Sequence, residues 1–210
     1  MKNIDPKCKQ CRRVGEKLML KGERCNSPKC GIAKRPFAPG FHGPKARPNA
    51  KKSDYAMQLN EKQKARKQYL LTEHQFRIIF DKAAKKVGNT EKLLIQLLEM
   101  RLDNTVYRMG FAPSRPEARQ LVNHGHFNVN GKKVTIPSCV VKQGDVITIK
   151  DSSKRSKKFT NLASRIKSAE IPGWLNMNIE QLTGKVLHEP AAKDLKSNLD
   201  PHVIVEFYSR

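Results

Sequence analysis

The sequence predicts an α+β protein, in which a cysteine cluster and a helical domain are followed by an inserted, compact α-then-β domain. Apolar residues recur at helical spacing through residues 53–100, whereas the alternation typical of short strands begins only after residue 125. We divide the chain into an N-terminal segment 1–52, a helical domain 53–100, an α-then-β domain 101–150 and a mixed segment 151–210. We expect segment 151–210 to pack back on the helical domain.

The N-terminal segment contains four cysteines with the spacing Cys8-x2-Cys11-x13-Cys25-x4-Cys30. Two close pairs separated by a short loop can present four thiolates to one zinc ion, and the neighbouring lysines and arginines favour the thiolate form. We therefore predict a zinc knuckle with one structural Zn ion held by these four residues. An iron–sulfur cluster and two disulfides are the alternatives.

A basic arm follows the cysteines, with the sequence AKRPFAPGFHGPKARPNAKK. Its prolines and glycines argue against regular secondary structure, so we predict an extended segment.

The helical domain begins at Ser53, which is placed to cap a first helix. Thr72 and Gln75 form a capping box for a second helix, and Gly88 is placed to end it. A third helix starts near position 89 or 90, and its apolar residues continue at helical spacing as far as Val106.

The α-then-β domain contains a second capping box, formed by Ser114 and Glu117, and Gly125 is placed to end the helix that it opens. The dipeptide Asn130-Gly131 predicts a β-hairpin, and the sequence KQGDVITIK predicts a turn followed by another strand. Cys139 is isolated in the sequence, and we interpret it as a small buried hydrophobic residue.

The C-terminal segment combines a hydrophilic linker, DSSKRSKK, with two short predicted elements. NLASRIKSAEI predicts a short helix, and HVIVEFYSR predicts a terminal strand.

The charge of the chain indicates a polyanionic partner. Lysine and arginine number 42 against 19 aspartate and glutamate, which gives a formal net charge of +23, whereas small domains ordinarily carry a net charge of about 2–8. Nucleic acid fits best, because each neutralised phosphate releases a counterion and adds affinity. The basic residues are spread along almost the whole chain, which favours a protein embedded in RNA over one with a basic tail.

Two features of the sequence indicate the cellular compartment of the protein. No apolar run approaches the roughly 20 residues that a membrane helix needs, and MKNIDPKC has no hydrophobic region of a secretory signal. We therefore expect a cytoplasmic protein, and the reducing cytoplasm favours metal ligation over disulfides for the cysteines.

Cations recur at helical spacing in the α-then-β domain. Arg101 and Arg108 are predicted two turns apart on one helix, and Arg115 and Arg119 one turn apart on the next. Arginine binds phosphates with two parallel hydrogen bonds and stacks on exposed bases. Spacing alone fits a solvated helix face equally well.

The same stretch resembles the RNA-binding domain named after bacterial small-subunit ribosomal protein four, in the sequences RLDN, SRPEARQLV, HGHFNVNG, IPS and QGDVITI. That domain also occurs in pseudouridine synthases and tyrosyl-tRNA synthetases, so it indicates only an RNA partner. CRRVGEKLMLKGERC, KRPFAPGFHG, LNEKQKARKQY, GNTEKLLIQLLEMRLDN and VIVEFYSR extend the resemblance from about residue 6 to residue 210. Over that range the chain is similar to the bacterial-type family of small-subunit ribosomal protein four, in its zinc-binding, four-cysteine form.

The resemblance implies a ribosomal protein that binds the 5′ domain of small-subunit rRNA early, nucleates assembly and influences decoding accuracy. It also implies contact with neighbouring small-subunit ribosomal protein five and a position near the path by which mRNA enters. The positions to which it carries RNA contact are Lys34, Arg35, Lys45, Arg47, Arg101, Asn104, Arg108, Arg115, Arg119, Gln120, His124 and Asn130.

Other function classes lack support in the sequence. No nucleophile elbow, phosphate-binding loop or dinucleotide fingerprint is present, so we expect no enzyme activity. An RNA-modifying enzyme would need a catalytic domain for which residues 151–210 are too short. A zinc-containing DNA-binding regulator and a stress-associated binder of free ribosomal particles are the remaining alternatives.

Overall fold

A computed structural model describes residues 6–45, 53–154, 156, 159–191 and 198–209. The chain forms two compact units, which we call the helical unit (Met1–Glu91 with Asn198–Arg210) and the sheet unit (Lys92–Ser197). In chain order, the elements are α1 Lys7–Val14, α2 Glu23–Asn26, α3 Gly31–Lys34, α4 Asp54–Gln68, α5 Glu73–Lys85, α6 Thr90–Glu99, α7 Leu102–Arg108, α8 Arg115–Asn123, β1 Phe127–Val129, β2 Lys132–Lys133, β3 Val146–Ile149, α9 Asp151–Lys154, α10 Leu162–Ser168, β4 Leu175–Asn178, β5 Thr183–Val186 and α11 Pro201–Tyr208.

The predicted helix starts in the helical unit are confirmed. The Ser53 hydroxyl accepts a hydrogen bond from the Ala56 amide at the start of α4. Thr72 and Gln75 exchange side chain-to-backbone hydrogen bonds of 3.3 and 3.2 Å, which is the predicted capping box of α5. These bonds satisfy amides that have no partner within their own helix.

The C-terminal segment HVIVEFYSR forms helix α11, so the prediction of a terminal strand is wrong. The Asp200 carboxylate accepts hydrogen bonds from the amides of His202 and Val203, and Pro201 occupies the first turn. Both features favour a helix start. α11 packs on α4, with Ile204 fully buried and the Tyr208 ring stacked 4.5 Å from that of Phe80.

Tyr208 also joins α11 to a buried lysine on α4 through one carboxylate. Its hydroxyl donates to Glu73 at 2.8 Å, and Lys62 Nζ lies 2.8 Å from the same oxygen. Burial alone raises the pKa of Glu73, but the hydrogen bonds from Lys62 and Tyr208 and the nearby cations outweigh it, so the pKa is lowered. The cluster therefore stabilises the fold only while Glu73 is ionised.

The stability of the α11 contact is expected to fall in acid. A carboxylate whose pKa is lowered by folding contributes stability above its unfolded pKa, and that contribution is lost as the pH falls through the folded value. The protection factors of the α11 amides, which compare their exchange rates with those of an unfolded chain at the same pH, should therefore fall in the wild type as the pH is lowered below about 4.5. Glu73→Gln should have lower protection factors in α11 at pH 7 and lose less protection in acid; the same loss of protection in both proteins would contradict the assignment.

The sheet unit contains an antiparallel sheet with the strand order β2-β1-β3-β5-β4. The predicted hairpin is confirmed, because Val129 pairs with Lys132 and the turn residues Asn130 and Gly131 have φ values of 50° and 77°. Trp174, Phe111 and Phe127 lie in the core of this unit with less than 2% of their surface exposed.

The segment after residue 150 differs from the domain prediction. The predicted short helix is present as α10, but β5 pairs with β3, so this part of the segment completes the sheet unit. Only residues from Asn198 onward group with the helical unit, whereas the prediction placed all of 151–210 there. The physical reason is burial of Trp174 and Leu175 in the core of the sheet unit. Among the described residues, no helix has the length and apolar character needed to span a bilayer.

The predicted third helix is interrupted in the structure. α6 ends at Glu99 and α7 begins at Leu102, because Arg101 is extended and forms an isolated antiparallel bridge with Val140. The prediction that Arg101 and Arg108 share one helix is therefore wrong.

Ser114 does precede α8, but its side chain makes no capping hydrogen bond, so the second predicted capping box is also wrong.

Candidate RNA-binding surface

Glu99, at the end of α6, organises a buried polar network in the sheet unit. Its carboxylate is 1% exposed and accepts two hydrogen bonds from Arg108, at 2.9 and 2.7 Å, and one from Asn104 at 2.8 Å. Arg115 donates to the Asn104 side-chain oxygen at 2.8 Å, and its guanidinium lies 4.6 Å from the centre of the Tyr107 ring. Charged groups survive burial only when they are paired in this way.

Asp103 organises a second group of ion pairs. Arg101 binds both carboxylate oxygens, at 3.1 and 2.9 Å, and Arg119 binds one of them at 3.1 Å. The backbone beside Arg101 is also held, because the Leu102 amide donates to the carbonyl of Cys139. Cys139 itself is half-buried and packs against the core, as a small apolar residue would.

These two networks show that most of the arginines predicted at helical spacing pair with buried carboxylates. Arg101, Asn104 and Arg115 are at most 6% exposed, so their side chains hold α7 and α8 in place instead of facing solvent. The Arg108 side chain is 18% exposed and faces Glu99. RNA contact by these four residues stays a prediction, but their geometry favours an internal role.

The solvent-facing cations and amides lie on one side of α8. Arg119 keeps 29% of its side chain exposed despite its ion pair, and Gln120, Asn123 and His124 are exposed. The residues that alternate with them, Ala118, Leu121 and Val122, are buried. This division is that of an amphipathic helix whose polar side can approach an RNA backbone.

The β1–β2 hairpin adds two cations that sequence reasoning missed. Lys132 and Lys133 are exposed, and a Cβ atom on Gly125, at the end of α8, would lie 2.4 Å from Lys133 Cε. The Lys133 side chain therefore lies against the C-terminal end of α8. Because Lys133 follows the predicted Asn130-Gly131 turn, the sequence contains a signal that could have indicated this contact. We call Arg119, Gln120, Asn123, His124, Lys132 and Lys133 the α8–hairpin surface.

Asn130, another residue predicted to contact RNA, lies in the turn of the hairpin and is exposed. Its side chain donates to Asp145 at 2.8 Å and accepts from the Val146 amide at 2.9 Å. These bonds tie the hairpin turn to the start of β3.

The basic arm belongs to the helical unit. Lys34 ends the short helix α3, and Arg35 and Lys45 follow it; all three are exposed. Within the described part of the arm after Arg35 the backbone forms turns, with a hydrogen bond from the Gly43 amide to the Gly40 carbonyl, so the prediction of an extended segment is wrong there. Arg47, the fourth arm residue predicted to bind RNA, lies outside the described residues.

The four clustered cysteines belong to the three short N-terminal helices, with Cys8 and Cys11 on α1, Cys25 on α2 and Cys30 immediately before α3. Cys11, Cys25 and Cys30 are each 7% exposed, Cys8 is half-buried, and all carry free thiols. Burial raises the pKa of the Cys11 thiol, the Leu18 amide opposes that rise, and the other three thiols add to it. The Lys21 amide donates to Cys25 Sγ at 3.3 Å.

This donor set fits a soft metal ion chemically, because buried thiols with backbone N–H donors are typical of zinc knuckles. However, no three His, Cys, Asp or Glu side chains in the described ranges are arranged to hold a metal ion. Zinc binding by this cluster therefore stays a prediction.

Comparison with known proteins identifies the family. A family model described as the ribosomal protein S4/S9 N-terminal domain matches residues 2–99, and one described as the S4 domain matches residues 100–147. The small ribosomal subunit protein uS4 of Acetivibrio thermocellus is 53% identical over 204 residues, which cover 97% of this chain and 96% of that protein. The protein of the same name from Clostridioides difficile is 50% identical over 203 residues, which cover 97% and 96% respectively. The chain therefore belongs to the uS4 family of small ribosomal subunit proteins.

Proposed function

We propose that this chain is a structural constituent of the small ribosomal subunit that binds rRNA directly and has no enzymatic role. Membership in the uS4 family, with a match along nearly the whole chain, is the observation that carries the proposal. The net charge of +23 supports it, because a polyanion offsets the self-repulsion of such a surface.

The α8–hairpin surface and the exposed cations of the basic arm are the proposed contacts. Their lysine, arginine and amide groups suit phosphates and ribose hydroxyls, which report the shape of RNA more than its sequence. The buried networks around Glu99 and Asp103 support this surface by fixing the helix that presents it.

The finer parts of the proposal follow from the family resemblance. The chain would bind the 5′ domain of the rRNA early, nucleate its assembly and contribute to translational accuracy. It would contact neighbouring small-subunit ribosomal protein five and lie near mRNA on its path into the subunit, within the cytoplasm.

Stoichiometry in purified subunits tests this proposal. Small subunits washed in high salt should retain about one copy of the chain, because a component embedded in folded rRNA also makes shape-dependent contacts to ribose and bases, which salt weakens less than phosphate contacts. A stress-associated binder would be removed by the same wash. Loss of the chain from washed subunits that keep their other proteins would contradict the proposal.

We also propose that Cys8, Cys11, Cys25 and Cys30 hold one structural zinc ion. The proposal is supported by the spacing of the cysteines, the burial of three of them and the amide donor at Cys25. The ion would crosslink α1, α2 and α3; the small apolar cluster of Cys11, Val14, Leu18, Leu20 and Leu70 includes residues of α1 but none of α2 or α3.

Metal analysis of the purified chain should find about one zinc per molecule and no iron-dependent visible absorbance. Cys11→Ser should lose the zinc and become sensitive to proteolysis within residues 6–34. Cys139→Ser is the matched control, because it removes a thiol from the other unit, and it should keep the zinc. Equal zinc content in both variants would contradict the assignment of the ligands.

A further inference from the structure

The loop after α3 has a fixed shape, although it lacks regular secondary structure. The Arg12 side chain donates to the carbonyl of Phe37 at 2.9 Å and to that of Ala38 at 3.4 Å, and its guanidinium lies 5.0 Å from the Phe37 ring centre. A Cβ atom at Gly43 would lie 1.8 Å from the Ala38 carbonyl oxygen, so the turn admits no larger residue there. The loop is therefore anchored to α1 and tightly closed.

This anchored loop presents an aromatic ring to solvent. Phe41, at its tip, is 76% exposed, which is an unusual position for a large apolar side chain. Lys45 Nζ lies 4.8 Å from the centre of the ring, and the His42 ring meets it edge-on at 5.4 Å. Residues 31–45 contain no aspartate or glutamate, so the charged groups of this loop are purely cationic.

A cationic cleft adjoins the same loop. It is lined by Lys9, Gln10 and Arg13 from α1, Lys67 from α4, and the loop residues Pro39 and Gly40, which immediately precede Phe41. No carboxylate of the described residues contributes to its lining. Such a cleft suits a phosphate group.

We propose that Phe41 is a stacking site for one unpaired base of the bound rRNA, with Lys45 and the adjoining cleft receiving the flanking phosphates. An exposed aromatic ring beside cations is the arrangement with which proteins hold single-stranded nucleotides, since every base offers a π face. This inference rests on the proposed rRNA-binding function, and it assigns a specific nucleotide contact to the helical unit.

The first test compares Phe41→Ala and Phe41→Trp in the full chain. Binding to a 5′-domain rRNA fragment should weaken about tenfold in Phe41→Ala, because one stacked base is worth about that much, and should be kept in Phe41→Trp. A change of less than about twofold in Phe41→Ala, while the wild type binds the fragment selectively, would overturn the inference and leave the proposed function intact.

The second test follows the fluorescence of Phe41→Trp, whose new indole should be quenched when a base stacks on it. Single-stranded oligouridylate should quench it more strongly than a blunt RNA duplex with the same number of phosphates. Val87→Trp is the matched control, because Val87 is fully exposed beside Lys85 and Lys86.

Equal quenching by the two RNAs, or equal quenching of the two variants, would overturn the inference. This readout does not depend on rRNA selectivity. If the wild type failed to prefer the 5′-domain fragment, the proposed function would fall, whereas the stacking site would still be supported or overturned by the oligouridylate result.

Discussion

Replacing Glu99 with alanine should lower the free energy of unfolding of the sheet unit by about 3–5 kcal/mol, the usual cost of removing one partner from a buried ion pair. Without this carboxylate, Arg108 loses its two hydrogen bonds to Glu99 and Arg115 loses a charge at 3.9 Å, while Asn104 loses an acceptor. The effect should be large because Glu99 is 1% exposed, so water cannot replace what is removed.

The fluorescence of Trp174 can be used to measure the free energy of unfolding of the sheet unit. This residue is the one tryptophan in the sequence and is fully buried in the sheet unit, so its fluorescence during urea unfolding reports on this unit selectively. Glu180→Ala is the matched control, because it removes an exposed carboxylate from the same unit and should change stability by less than about 0.5 kcal/mol. Equal effects of the two substitutions would show that the Glu99 network contributes no special stability.

The double charge reversal Lys132→Glu and Lys133→Glu should weaken binding to a 5′-domain rRNA fragment by more than about tenfold near physiological salt. The slope of log affinity against log salt should also fall by about 2, since each lost phosphate contact accounts for about 1. Both lysines are exposed on the short strand β2, so the fold should tolerate the change.

A control variant with the same change in net charge distinguishes the effect of the α8–hairpin surface from the effect of total charge. Lys167→Glu with Lys185→Glu also reverses two exposed lysines of the sheet unit, on α10 and β5. It should weaken binding by less than about threefold. If the two double variants lost affinity equally, binding would depend on total charge, and the assignment of the α8–hairpin surface would be wrong.

The parts of the fold that the sequence predicts best are those set by local chemistry. Ser53, the Thr72–Gln75 pair and the Asn130-Gly131 turn each act through bonds or backbone angles within a few residues. The prediction of a C-terminal strand is wrong because VIVEF fits both the strand and the helix period, and Asp200 and Pro201 provide a helix start that decides between them. The break at Arg101 depends on a bridge to Val140, which is distant in the sequence and which no local pattern contains.

The sequence predicts the residue types of the candidate site, but it does not predict which of those residues are exposed to solvent. Helical spacing placed arginines near one another, yet it could not distinguish Arg119 at the surface from Arg115 in the interior. That distinction depends on how α6, α7 and α8 pack: Arg115 contacts the buried Asn104 and Glu99, whereas Arg119 pairs with Asp103 and keeps 29% of its side chain exposed. Lys133 joins the α8–hairpin surface only because the hairpin folds back toward Gly125, which helical spacing cannot predict.

Competition binding at near-physiological salt tests the central claim most directly. The wild-type chain would be titrated against a labelled 5′-domain rRNA fragment in the presence of heparin, duplex DNA or an unrelated RNA of equal length. Shape-directed binding predicts that the rRNA fragment is retained at a large molar excess of each competitor. If heparin, duplex DNA or the unrelated RNA displaced the rRNA fragment at an equal concentration of negative charges, the attraction would be that of any polyanion, and the account would be contradicted.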